Sequence, residues 1–151
     1  METKFIADVH LGKLARLLRM PGFDTVYRND FSLDALRRIS DEENRILLSR
    51  NTLLLKTHPG KCFIVSDENP LVQLKQVVQH FGLKNRVQPF SRCIACNGVL
   101  GSKAKECIAH LLKKNTAAYF DEFWQCPDCQ RIYWKGSHFE KMLATIQTIT
   151  S

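Results

Sequence analysis

Two cysteine pairs, Cys93-Ile-Ala-Cys96 and Cys126-Pro-Asp-Cys129, lie 29 residues apart and constrain the later part of this chain more than any other feature. A C-x-x-C loop lets two sulfurs reach one tetrahedral ion, and a second loop completes a closed four-thiolate site. Zn²⁺ is the expected occupant of Cys93, Cys96, Cys126 and Cys129. A closed site leaves no open coordination position, so its role is folding; a unit of about 50 residues has a thin core and needs such a staple. A redox C-x-x-C normally opens a helix after a strand, and neither pair has that setting. His110 and His138 are rival ligands that two complete pairs make unnecessary. Cys62 and Cys107 stand outside the pairs and are expected to be small core hydrophobes.

Ahead of the knuckles, two periodicities alternate. Residues 4–7 form a short apolar run, read as a strand, and Leu11, Leu14, Ala15 and Leu18 then repeat at helical spacing up to Pro21-Gly22. Residues 23–27, 45–48 and 62–65 read as further strands. Ser32 is placed to cap a helix reaching about Glu43, residues 52–56 form a short helical piece, and Pro70 opens a helix running to Phe81 and Gly82. Strands alternating with helices predict βαβ units and a mostly parallel sheet. Strands that are apolar on both faces suit burial inside such a sheet. After Phe90, cysteines, aromatics and turn residues take over, with one helical stretch at residues 104–114. The expected organisation is an α/β domain over residues 1–89, a Cys₄ zinc ribbon over 90–142, and a helix end or tail over 143–151.

Apolar residues make up 44% and charged residues 25% of the chain, a balance that supports a buried core and a solvated surface. No run approaches the roughly 18 apolar residues of a membrane span. Lys4 and Asp8 bracket only Phe5, Ile6 and Ala7, too short a run for a secretory leader, so a cytoplasmic location is expected. The formal charge of +7 favours polyanionic partners. Residues 1–89 carry 14 basic and 10 acidic side chains. Four thiolates on one Zn²⁺ add about −2 to the remainder, leaving the positive field mainly on the first part.

Asp8 follows the first expected strand, Asp30 the second, Asn51 the third and Asp67 the fourth. In an open α/β sheet, functional groups gather beyond the carboxyl ends of the strands. Carboxylates meeting there repel one another unless a cation sits between them, and Mg²⁺ or Mn²⁺ is the natural occupant. Each aspartate also has a local alternative. Asp8 can cap the helix that follows it, Asp30 can belong to the turn before Ser32, and Asp67 to the turn before Pro70. Lys13, Arg16 and Arg19 share a flank of the first helix, either as a phosphate-gripping face or as a solvated one.

The segments FIADVHLGKLARLLRMPGFDTVY, ENRILLSRN and SRCIACNGVL…FDEFWQCPDCQRIYWKGSHFEKM resemble the Mut-seven-C RNase domain family, over almost the whole chain. The resemblance implies a PIN-like nuclease fold joined to a C-terminal zinc ribbon. By the same resemblance, Asp8 and Asp30 match the first two acidic residues of the PIN-like site, and the four knuckle cysteines match the zinc ligands. One position departs: where the family usually carries Asp in a T-R-D motif, this chain reads Ser49-Arg50-Asn51. Asparagine keeps the shape and one oxygen acceptor but loses the charge.

The expected activity is metal-dependent hydrolysis of RNA phosphodiesters. Asp8, Asp30, Asn51 and Asp67 would form the site; Lys13, Arg16, Arg19 and Arg50 would grip phosphates; Trp124, Tyr133 or Trp134 would stack on bases or pack the ribbon. Two other readings stay open. Asn51 favours a non-catalytic RNA-binding module, and the ribbon suits a protein-interaction adaptor, with a protein partner or a second copy of the chain as its target.

Overall fold

The computed structural model describes residues 2–151. Its first part holds a four-stranded sheet of β1 (Phe5–Ala7), β2 (Thr25–Val26), β3 (Ile46–Ser49) and β4 (Cys62–Ile64). The strands are all parallel, in the order β2-β1-β3-β4. Four helices connect and cover them: α1 (Gly12–Arg19), α2 (Leu33–Glu43), α3 (Leu54–Thr57) and α4 (Pro70–His80). The fold is therefore α/β, with a parallel sheet flanked by helices as the alternating periodicities predict.

Period-two alternation sorts the strand side chains onto two faces. Phe5, Ala7 and Leu48 pack with Leu14, Leu18, Leu74 and Val77 from α1 and α4. Ile6 and Leu47 turn the other way, onto Leu36 of α2 and Leu54 of α3. Ser32 caps α2 by accepting from the Ala35 N–H at 3.1 Å, and Asn69 caps α4 with Pro70 at its first turn.

The second part is a three-stranded antiparallel sheet of β5 (Gly101–Lys103), β6 (Phe123–Gln125) and β7 (Ile132–Tyr133). The single helix expected over 104–114 is broken into α5 (Lys105–Ile108), a 3₁₀ turn, and α6 (Lys114–Tyr119). The last helix, α7 (Ser137–Thr150), contains most of the expected tail. Its Ile149 is buried in the core beside α4, so the end of the chain returns to the first unit.

A buried polar network joins the two parts. Arg19 donates to the Thr25 carbonyl at 2.9 Å and to the Ile94 carbonyl, inside the first knuckle, at 3.1 Å. Asn97 accepts from the Thr25 N–H at 3.0 Å and donates to Asp24 at 2.7 Å. Asp24 also pairs with Arg45 at 2.7 Å and Arg92 at 3.3 Å. Burial pushes the Asp24 carboxyl up, but bonds from Arg45 and Asn97 outweigh it and hold the group below its ordinary value.

Two expectations are corrected here. Arg19 is only 3% exposed, so its guanidinium joins the two units instead of gripping phosphate. Cys107 is exposed and Cys62 only half-buried, so neither is a fully buried core residue.

Candidate active site and zinc knuckles

The chain runs from β1 out to β2 and then crosses to β3 on the other side of β1. The gap beyond the carboxyl ends of β1 and β3 is thus the topological switch point, where α/β sheets place their ligands. Asp8 stands at this gap. Its backbone N–H donates to the Leu48 carbonyl at 2.9 Å, extending the β1–β3 ladder by one bond. Its side chain accepts from the Ser49 hydroxyl at 2.7 Å through Oδ2. The cap alternative fails for Asp8, because its carboxylate makes no capping bond to the turn at Val9–Leu11. Among the described residues Oδ1 accepts no hydrogen bond, which leaves a fixed, half-buried carboxylate with one open oxygen.

Ser49 is fully buried and carries two bonds, donating to Asp8 and accepting from the Asn51 N–H at 3.0 Å. Its signals in the sequence are its place just after the expected third strand and its position in the Ser49-Arg50-Asn51 segment. Asn51 itself is exposed, and its Oδ1 accepts from the Leu53 N–H at 3.1 Å to start α3. Asp30 is exposed and ion-paired to Arg28 at 2.8 Å. Asp67 accepts from the Asn69 N–H at 2.7 Å, the turn geometry foreseen before Pro70. Asp8 is joined to Ser49, and through it to the Asn51 backbone, whereas the Asp30 and Asp67 side chains are engaged locally. Lys13 and Arg16 are exposed on α1, and Arg50 lies 4.0 Å from Glu68.

The knuckle sulfurs converge. Among the described residues, Cys93, Cys96, Cys126 and Cys129 form the one group of three or more His, Cys, Asp or Glu residues whose ligand atoms all lie within 4.8 Å of one another. The Cys93–Cys129 and Cys96–Cys126 sulfur distances are 3.6 and 3.4 Å. Sulfurs tetrahedrally placed 2.3 Å from zinc are about 3.8 Å apart, so the four thiols could hold that ion with a small outward adjustment. Gly98 lets them meet: a Cβ there would stand 2.5 Å from the Cys126 sulfur. Burial pushes the Cys129 thiol up, but the Arg131 backbone N–H and guanidinium, with Cys93 and Cys96, outweigh it and hold the group down at about 7. The Tyr133 hydroxyl lies 3.0 Å from the Cys93 sulfur.

The two tryptophans differ. Trp124 stacks on Phe90 at 4.3 Å with the rings 2° from parallel, and Phe90 stacks in turn on Phe139 at 5.0 Å. Trp134 lies tilted against Phe123 at 6.3 Å and, with Phe90 and Phe139, lines a groove.

The profile of the Mut7-C RNAse domain matches residues 3–146. The chain belongs to the Mut7-C RNase domain family. No curated protein sequence matches it significantly. Membership spans both parts of the structure and covers Asp8 as well as all four knuckle cysteines. For a Mut7-C domain, a role in nuclease or RNA chemistry follows from the family. Among the described residues no helix is long and apolar enough to cross a membrane.

Proposed function

We propose that this Mut7-C domain is a PIN-like, metal-dependent ribonuclease that hydrolyses RNA phosphodiesters at the crevice headed by Asp8. The observation that carries the reading is the Asp8 carboxylate at the switch point, held through one oxygen by Ser49 and open at the other. Mg²⁺ commonly uses only one or two protein carboxylates and completes its shell with water and substrate phosphate, so a single oriented aspartate suits such a site. A divalent ion there supplies charge neutralisation at the phosphodiester and a more acidic water. Ser49 fixes the direction of the open oxygen, and Lys13 and Arg50 present cations to phosphates near it. Asp30, Asn51 and Asp67 would contribute only by exchanging their local bonds for the ion or its waters. The knuckles keep a structural zinc. Thiols gathered at metal-ligand spacing without disulfides are typical of reducing compartments and support a cytoplasmic location.

The test is a Mn²⁺ titration of zinc-loaded protein, followed by calorimetry, beside Asp8→Asn. Saturable binding lost in the variant supports the reading. Binding that is equal in the two proteins removes Asp8 from the site.

A second reading is favoured by a specific observation. Asn51, Asp30 and Asp67 all spend their side chains on local bonds. A non-catalytic RNA-binding domain needs none of them; it would bind RNA equally with and without Mn²⁺ and would leave the RNA uncut.

A further inference from the structure

A groove of about 1160 Å³ opens between the knuckles, α6, the start of α7 and the outer face of α1. It exceeds the roughly 300–1,000 Å³ of small-molecule pockets, a size that suits a polymer better than a metabolite. Among the described residues no Asp or Glu lines it. Arg16, Lys113 and Lys141 do, none of the three with a carboxylate partner among the described residues, and Arg131 lies beside them with its guanidinium on the Cys129 sulfur. Cations that face one space without carboxylates repel each other, and an anionic occupant relieves that repulsion. Trp134 stands among them, and Phe139 lies beside it, already stacked on Phe90. Cations interleaved with aromatic faces match a strand with phosphates along one edge and unpaired bases along the other. A duplex hides its base faces and would leave the rings without stacking partners.

We propose that this groove is a binding site for single-stranded nucleic acid, separate from the Asp8 crevice. Arg16 also gives the bound strand a direction. It follows Lys13 by three residues on the exposed side of α1, so the two are neighbours one turn apart. Lys13 lies in the turn nearest Asp8. A strand leaving the groove along α1 therefore reaches the crevice; this last step alone rests on the ribonuclease reading. The groove sets a minimum substrate length, because a strand must fill it and still extend past Lys13.

The experiment measures binding of a fluorescent oligouridylate to zinc-loaded protein without Mn²⁺, over a range of salt. It compares the parent with Trp134→Leu and with the double variant Lys113→Gln/Lys141→Gln. The double variant should bind about tenfold more weakly, and its salt slope should be shallower by about 0.7 for each phosphate no longer neutralised. Trp134→Leu should weaken binding about tenfold with the slope unchanged, as loss of one stacked base requires. Unchanged affinity and slope in the double variant, with zinc content retained, overturns the groove. Competition by a hairpin duplex or by poly-glutamate as effective as by the single strand overturns it too. RNA cleavage that depends on Asp8 but ignores the groove variants defeats this inference alone; groove binding without any cleavage defeats the ribonuclease reading alone.

Discussion

Ser49 donates its hydroxyl to Asp8 over 2.7 Å, tying the ends of two adjacent parallel strands together at the switch point of the sheet. The bond fixes the carboxylate's direction and leaves one oxygen for a ligand. Replacing Ser49 by Ala removes that restraint and also strands the Asn51 N–H. Loss of such an outer partner typically costs 10- to 100-fold in metal affinity, so a Ser49→Ala variant should bind Mn²⁺ at least about tenfold more weakly. Its unfolding free energy should fall by about 1–2 kcal/mol, as for a buried hydroxyl lost from two bonds. Calorimetric titration and urea unfolding measure the two effects.

Asp24 carries the pH dependence of the assembled fold. Its folded carboxyl sits below its ordinary value of 3.8 because Arg45, Asn97 and Arg92 outweigh the effect of burial. A depressed carboxyl contributes stability that is present above the unfolded value and is lost as pH falls through the folded one. Urea midpoints should therefore decline below about pH 4, and more steeply in the parent than in Asp24→Asn. At pH 7 the variant should lose about 2 kcal/mol, since it leaves the buried Arg45 guanidinium only Glu43 and the Phe5 carbonyl as partners.

Zinc should stabilise the α/β unit as well as the ribbon. The first knuckle supplies the Ile94 carbonyl to Arg19, and Asn97 just after it bonds to Thr25 and Asp24. Chelation releases the knuckle and takes one partner each from Arg19, the Thr25 N–H and Asp24. The thermal transition of the helical circular dichroism signal should fall by about 10 °C on removal of zinc. An unchanged transition would show that the units fold independently.

Gly98 tests the packing around the metal. A methyl group there meets the Cys126 sulfur at 2.5 Å and an Asp128 oxygen at 2.8 Å. Gly98→Ala should retain zinc poorly, seen as a stoichiometry well below one ion per chain after gel filtration, while Gly101→Ala, with open space around it, should retain one.

The strands and helices of the first unit were legible because apolar spacing decides burial. Ser32 and Pro70 open their helices as capping chemistry requires, and the paired C-x-x-C loops converge as ligand spacing requires. Three things were not legible. Arg19 falls on the charged flank of α1 by periodicity, yet the knuckle folds back over it, and only that tertiary packing buries the guanidinium. Residues 143–151 read equally as a helix end or a tail; the helix won because Ile149 finds a buried place in the core beside α4. The four candidate acid-site residues all follow strands, yet strand position says nothing of direction. Turn chemistry claims Asp67 and Asn51, Arg28 claims Asp30, and Asp8 bonds across to Ser49 at the neighbouring strand end.

Catalysis at Asp8 stands or falls on cleavage of a labelled single-stranded RNA by zinc-loaded protein with Mn²⁺, compared with Asp8→Asn and with Ser49→Ala. The parent should cleave, the Asp8→Asn rate should fall by at least about 100-fold, and Ser49→Ala should cleave at an intermediate rate. Intact RNA in every reaction, or equal rates in parent and Asp8→Asn, would rule out a catalytic Asp8.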